Sequence, residues 1–213
     1  MAIDNTVKIY TNVNIGKGSI VGEFSVVGRP YRPVGSKLLH SNKKTIISKD
    51  CYIGSHVVIG QGTFIGDGCI IEDYSKVDVD CKLGSKSHIL YRAYIDNNVN
   101  IGDNSIIGGF ICERSVIGKN SRIFGKLIHK HNNPTLGWDD NIEVSPVVMD
   151  NVVIGFDALV IGPVKIESNS YVCAGAIVSK NVPSKHIAYG VNKIVSYKDW
   201  KGSLSKSHFF AEK

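Results

Sequence analysis

Residues 47–112 read ISKDCYIGSHVVIGQGTFIGDGCIIEDYSKVDVDCKLGSKSHILYRAYIDNNVNIGDNSIIGGFIC, and within them every sixth residue is Ile, Leu or Val. The row runs Ile47, Ile53, Ile59, Ile65, Ile71, Val77, Leu83, Ile89, Ile95, Ile101 and Ile107. Four places after each of the first ten stands a residue that is nearly always small: Cys51, Val57, Thr63, Cys69, Ser75, Cys81, Ser87, Ala93, Val99 and Ser105. No helix has a period of six. A six-residue repeat specifies a parallel β-helix, in which each hexad supplies one short strand and one bend and about three hexads close a triangular coil. The aliphatic side chain fills the prism, and the small residue fits the corner. Gly, Asp or Asn after the aliphatic, as in Ile53-Gly54 and Ile101-Gly102, suits the bend.

Outward from this block the repeat continues with interruptions. An opening block sets Ile9, Ile15, Val21 and Val27 in phase, and a loop with Pro30 and Pro33 then covers residues 28–46. The phase slips between Ile107 and Ile117, recovers at Ile117 and Ile123, and is expected to end there. The stretch HKHNNPTLGWDDNIEVSP from His129 is polar, aromatic and acidic where a prism needs aliphatics, so a second loop is placed over residues 129–147. Six further hexads begin at Val148, Ile154, Val160, Ile166, Val172 and Val178. About eight coils result, or roughly 38 Å of prism at the strand spacing of about 4.8 Å. One solenoid domain, residues 1–195, is expected, followed by a tail or short helix over residues 196–213.

The repeat as a whole resembles the hexapeptide-repeat acyltransferase superfamily, and that resemblance implies an all-β, left-handed parallel β-helix. Ordinary parallel crossovers are right-handed, so handedness follows from the resemblance and not from the period. The run Ala174-Gly175-Ala176-Ile177-Val178-Ser179-Lys180-Asn181-Val182-Pro183 is similar to the terminal module of acetyl-CoA-dependent sugar, maltose, galactoside and xenobiotic acetyltransferases. The resemblance assigns acyl-CoA binding to Ala174, Ser179 and Lys180, and to Lys193 in Gly190-Val191-Asn192-Lys193, where this chain is one residue shorter and lacks the family's proline. It also implies a homotrimer with active sites between adjacent prisms, and a catalytic histidine on a loop ahead of the terminal module.

His129 and His131 both fit that description, and an extended chain has a side-chain period of two, so both point one way. His131, close to Pro134, is slightly favoured. A neutral imidazole would take a proton from a sugar hydroxyl or amine as it attacks the thioester of acetyl-CoA, with backbone N–H groups holding the oxyanion. Asp139 and Asp140 are candidates to orient the ring or bind the acceptor, and the two loops to shape the acceptor pocket. His56 and His88 fall on outward positions. Two other readings stand beside the acetyltransferase: a γ-type carbonic anhydrase with three zinc-ligating histidines, whose His-x4-His pair is missing, and a non-catalytic scaffold.

Composition narrows the classes further. Of five cysteines, Cys51, Cys69 and Cys81 occupy small inward positions and no CxxC pair exists, so packing is expected and neither a disulfide framework nor a metal. The formal charge of +6 comes from scattered Lys and Arg, which suits a phosphorylated small molecule better than nucleic acid. Residues 1–10 carry no basic segment followed by an apolar core, and no apolar run approaches a membrane span, so a cytoplasmic protein with no membrane partner is expected.

Overall fold

The computed structural model describes residues 2–31, 43–130, 133, 135, 144–206 and 209. Short parallel strands wind into a three-sided solenoid of about nine turns, in agreement with the left-handed β-helix expected of the repeat. The first face begins with Ala2–Ile3, Ile20–Val21 and Tyr52–Ile53, the second with Lys8–Ile9, Val26–Arg29 and Val58–Gly60, and the third with Val13–Ile15, Thr45–Ile47 and Phe64–Ile65. The parallel strands pair with the strand one turn above, as Ile71 does with Ile89 and Ile95 with Ile111, with a register shift between Val27 and Arg29. Every aliphatic of the row from Ile47 to Ile107 is buried, and so is every small partner from Cys51 to Ser105. At the open lower end Ile9 remains 44% exposed, because no turn lies beneath it among the described residues.

The small inward residues do more than fit. Ser19 Oγ donates to Ser48 O at 2.8 Å, Thr63 Oγ1 to Asp78 O at 2.6 Å, and Cys81 Sγ to Asp96 O at 2.9 Å. Each satisfies a carbonyl that the bend turns away from the strand ladder. That is why Ser, Thr and Cys recur at positions buried among aliphatics.

Two features depart from the hexad count. Ile107 is followed by its next inward residue, Ile111, after four positions, and Ile123 likewise by Leu127, which is fully buried in the strand Lys126–Ile128. The coil therefore does not end at Ile123. The shortened corners carry Gly109 and Gly125. A Cβ on Gly109 would stand 1.7 Å from Gly125 O, so the two backbones approach closer than any side chain allows. Gly109→Ala is expected to destabilise the fold by at least about 2 kcal/mol, as overpacking against rigid backbone does, read from the urea midpoint.

At the upper end, His186–Tyr189 joins the first face, and Lys193–Ser196 returns antiparallel to it, from His186 opposite Ser196 to Tyr189 opposite Lys193. Among the described residues beyond Ser196 are two 3₁₀ turns, Tyr197–Asp199 and Ser203–Lys206. Trp200 packs edge-on against Tyr189, ring centroids 5.1 Å apart, which anchors the tail to the last strands.

Candidate functional site

Both loops leave the prism at the same corner. The first departs after Val26–Arg29 and returns at Thr45–Ile47, and the second departs after Lys126–Ile128 and returns at Val147–Val148. Each passes from the second face to the third. Five turns separate their stems, roughly 24 Å at the strand spacing, and four turns of uninterrupted corner lie between them.

A row of side chains runs up this corner, two residues after each inward aliphatic: Gln61, Val79, Asn97, Glu113 and His129. Register places His129 one turn above Glu113, since Leu127 pairs with Ile111. Gln61, Val79, Asn97 and Glu113, together with Asp80, Asn98 and Arg114, line a cleft of about 300 Å³ that Tyr31, on the stem of the first loop, closes from below. That volume is at the lower end for small-molecule sites. The returning stems are tied to the same corner. Gly62 N donates to Thr45 Oγ1 at 3.0 Å, Lys43 Nζ lies 2.9 Å from Asp80 Oδ2, and Ser145 Oγ donates to Glu113 O at 2.5 Å.

Just behind the row, Lys76 Nζ contacts Asp78 Oδ2 at 2.5 Å and donates to Tyr94 Oη at 3.0 Å. Asp96 Oδ1 accepts from Asn97 N at 2.8 Å. Burial pushes the Asp96 carboxyl above the usual carboxylate range; the Asn97 N–H bond opposes this, the charge of Asp78 adds to it, and the charges of Lys76 and His129 oppose it. His129 is thus within electrostatic reach of Asp96. The Cys81 thiol is pushed up to about 12 by burial, with the charges of Asp78, Asp96 and Asp80 adding, so it stays protonated and serves packing.

The remaining expected site residues distribute as follows. Ser179 and Lys180 follow the strand Ile177–Val178 on the same corner, two turns above His129, or roughly 10 Å. Ser179 is clasped to the C-terminal hairpin, its N–H donating to Asn192 Oδ1 at 2.8 Å and Asn192 Nδ2 donating to its Oγ at 2.9 Å. Ala174 sits one corner away, between Tyr171–Val172 and Ile177–Val178, and Lys193 begins the antiparallel strand. His131, Asp139 and Asp140 lie outside the described residues. His56 stacks between Phe24 and Tyr74, and His88 Nε2 lies 2.7 Å from Glu72 Oε1; both are on or beside the first face, away from the cleft. Sequence reading missed Asn97, Asp96 and Glu113; Asn97 and Glu113 share the offset of two residues from the inward row, and Asp96 precedes Asn97 in the same bend. Among the described residues no group of three or more His, Cys, Asp or Glu is set to hold a metal ion, and no helix is long and apolar enough to cross a membrane.

The family model for the hexapeptide repeat of succinyl-transferase matches residues 44–72, which include Gln61 of the cleft, and residues 149–180, the turns that follow the second loop. The chain thus shares the hexapeptide repeat that this family model describes. Among curated proteins, this hexapeptide-repeat chain is 27% identical over 199 residues to the bifunctional protein GlmU of Thermoanaerobacter pseudethanolicus, covering 75% of this chain and 44% of that one. It is 25% identical over 251 residues to GlmU of Caldanaerobacter subterraneus subsp. tengcongensis, covering 93% and 55%. The chain therefore spans about half the length of the curated relatives it matches. Among solved structures, the polySia-specific acetyltransferase NeuO aligns over 96% of this chain and 86% of its own, with TM-score 0.49 and 18% identity. The UDP-N-acetylglucosamine acyltransferase from Campylobacter jejuni aligns over 90% and 72%, with TM-score 0.48 and 17% identity.

Proposed function

We propose that this chain is an acyltransferase that moves an acetyl group from acetyl-CoA to a hydroxyl or amino group of a sugar or nucleotide-linked sugar. The observation that carries the reading is the convergence at one corner: both loop stems, the cleft, His129 and the pair Ser179–Lys180 share it. In this reading His129, or His131 beyond it, accepts the proton of the attacking group. The nucleophile adds to the thioester carbonyl, the C–S bond breaks and the thiolate leaves protonated, with no acyl-enzyme between. An extended pantetheine arm runs along the strand Ile177–Val178, from Ala174 at one corner to Ser179 at the next, and Lys180 and Lys193 meet the nucleotide phosphates.

A cleft on a convex corner has one wall. A neighbouring prism would supply the other, and the exposed apolar row Ile20, Tyr52 and Ile70 on the first face offers a surface for a homotrimer. The direct test is thiol release from acetyl-CoA in the presence of nucleotide-linked sugars. Acceptor-dependent release is expected, and release with none of the sugars offered contradicts the reading.

A further inference from the structure

Asn192 stands at the tip of the C-terminal hairpin with φ at +53°, a conformation that Asn tolerates better than most residues. Its N–H donates to Ile177 O at 2.9 Å, and Ile177 N donates to Gly190 O at 2.8 Å, so the tip is stacked as a rung on the strand Ile177–Val178. From there the side chain reaches Ser179 twice. Its Oδ1 accepts from Ser179 N at 2.8 Å, and its Nδ2 donates to Ser179 Oγ at 2.9 Å. A backbone N–H can only donate, so the first bond fixes which end of the amide is oxygen. The second bond then has one polarity: the hydroxyl accepts from Asn192. Its single proton must point elsewhere, and no acceptor among the described residues takes it. Ser179 is exposed, so that proton faces the space outside the bend.

Holding a bend N–H does not by itself call for an amide. Three bends make that bond with a carboxylate one turn above: Asp73 Oδ1 accepts from Ser55 N at 2.8 Å, Asp103 Oδ1 from Ser85 N at 2.9 Å, and Asp150 Oδ1 from Lys119 N at 2.8 Å. A carboxylate at position 192 would hold Ser179 N as well, and would also draw the hydroxyl proton onto itself. The amide is what sends that proton outward.

Resting on the acyltransferase reading, in which Ser179 lies beside the pantetheine arm, we propose that Asn192 is a positioning residue for the acyl donor: it presents the Ser179 hydroxyl as a hydrogen-bond donor to an amide carbonyl of that arm. Pantetheine carries two amides, and each offers one carbonyl oxygen. A donor fixed at one point of the strand sets how far the arm runs, and therefore where its thioester stands.

The experiment measures the Kd of acetyl-CoA by calorimetry on the full chain, for wild type, Ser179→Ala, Asn192→Asp and the double variant. Each single substitution removes the outward proton, one by deleting the hydroxyl and the other by turning it onto the new carboxylate. Each is expected to raise Kd by about threefold to tenfold, the range of one neutral hydrogen bond. In the double variant the rise should be no greater than in either single variant, because both act on one proton. S-acetylpantetheine, which keeps both amides and lacks the phosphates, should give the same ratios, which separates the hydrogen bond from repulsion between a carboxylate and the nucleotide end. Asn192→Asp keeps the bond to Ser179 N and should melt no lower than wild type. A Kd that rises only in step with a falling melting temperature reduces the clasp to a fold contact and overturns the inference. An unchanged Kd in Asn192→Asp, additive rises in the double variant, or a rise lost with S-acetylpantetheine overturns this inference alone. Wild type that binds no acetyl-CoA overturns the acyltransferase reading and this inference together.

Discussion

His129→Ala is expected to lower kcat by about two to four orders of magnitude, the usual contribution of a positioned general base. The ring continues the row that lines the cleft, one turn above Glu113, and lies within electrostatic reach of Asp96. It follows a strand, Lys126–Ile128, whose Leu127 is locked in the core, so its backbone is fixed by packing. The comparison variant is His131→Ala, two residues farther along the loop. If His129 is the base, His131→Ala retains most of the turnover, added imidazole partly restores His129→Ala, and KM for acetyl-CoA changes little in either. A large loss confined to His131→Ala moves the role outward by two residues. Full turnover in both removes the imidazole from the mechanism.

Leu127→Asp is expected to abolish the native fold of the central turns. Leu127 is fully buried between Ile111 below and Val160 above, and a carboxylate there has no partner in an aliphatic prism. Leu127→Ala is the gentler version. It should cost about 2–5 kcal/mol by the usual truncation of a core leucine, read from the urea midpoint. Because each turn of a solenoid contacts only its neighbours, hydrogen exchange should quicken most in the strands around residues 110–128 and 159–161. An unchanged midpoint would show that the four-residue spacing from Ile123 does not place Leu127 inside.

The hexad row from Ile47 to Ile107 made the prism legible because one side chain in six has no alternative to the interior. Two corners escaped that count. From Ile107 to Ile111 and from Ile123 to Leu127 a bend is shortened by two residues, and only glycine lets the backbones meet so closely. The first shows in the sequence as the phase slip after Ile107; missing the second made the coil end one strand early and set His129 past a terminus, when it follows the regular strand Lys126–Ile128. Nine turns also exceed the eight counted, since Ala2–Ile3 and His186–Tyr189 add strands outside the repeat.

The site was legible only in part. Polar interruptions marked both loops, but their common corner follows from how many strands precede each one, and the shortened bends obscure that number. Asp96 and Asn97 sit in a bend where Asp and Asn are ordinary corner residues, so nothing local distinguished them. What distinguishes them is burial: a carboxylate without an ion pair among the described residues, and an amide oxygen that no described donor reaches. Neither property exists until the turns are stacked.

Hydrogen exchange measured with acetyl-CoA alone, and then with acetyl-CoA and a nucleotide-linked sugar, tests most directly whether acyl transfer takes place at the corner between the two loops. Donor binding should protect the segment around Ser179 and Lys180, and the acceptor should add protection at Gln61, Asn97, Glu113 and His129. Protection confined to another corner, such as the stack of Phe24, His56 and Tyr74, with residues 96–98 and 113–129 unchanged, would contradict it.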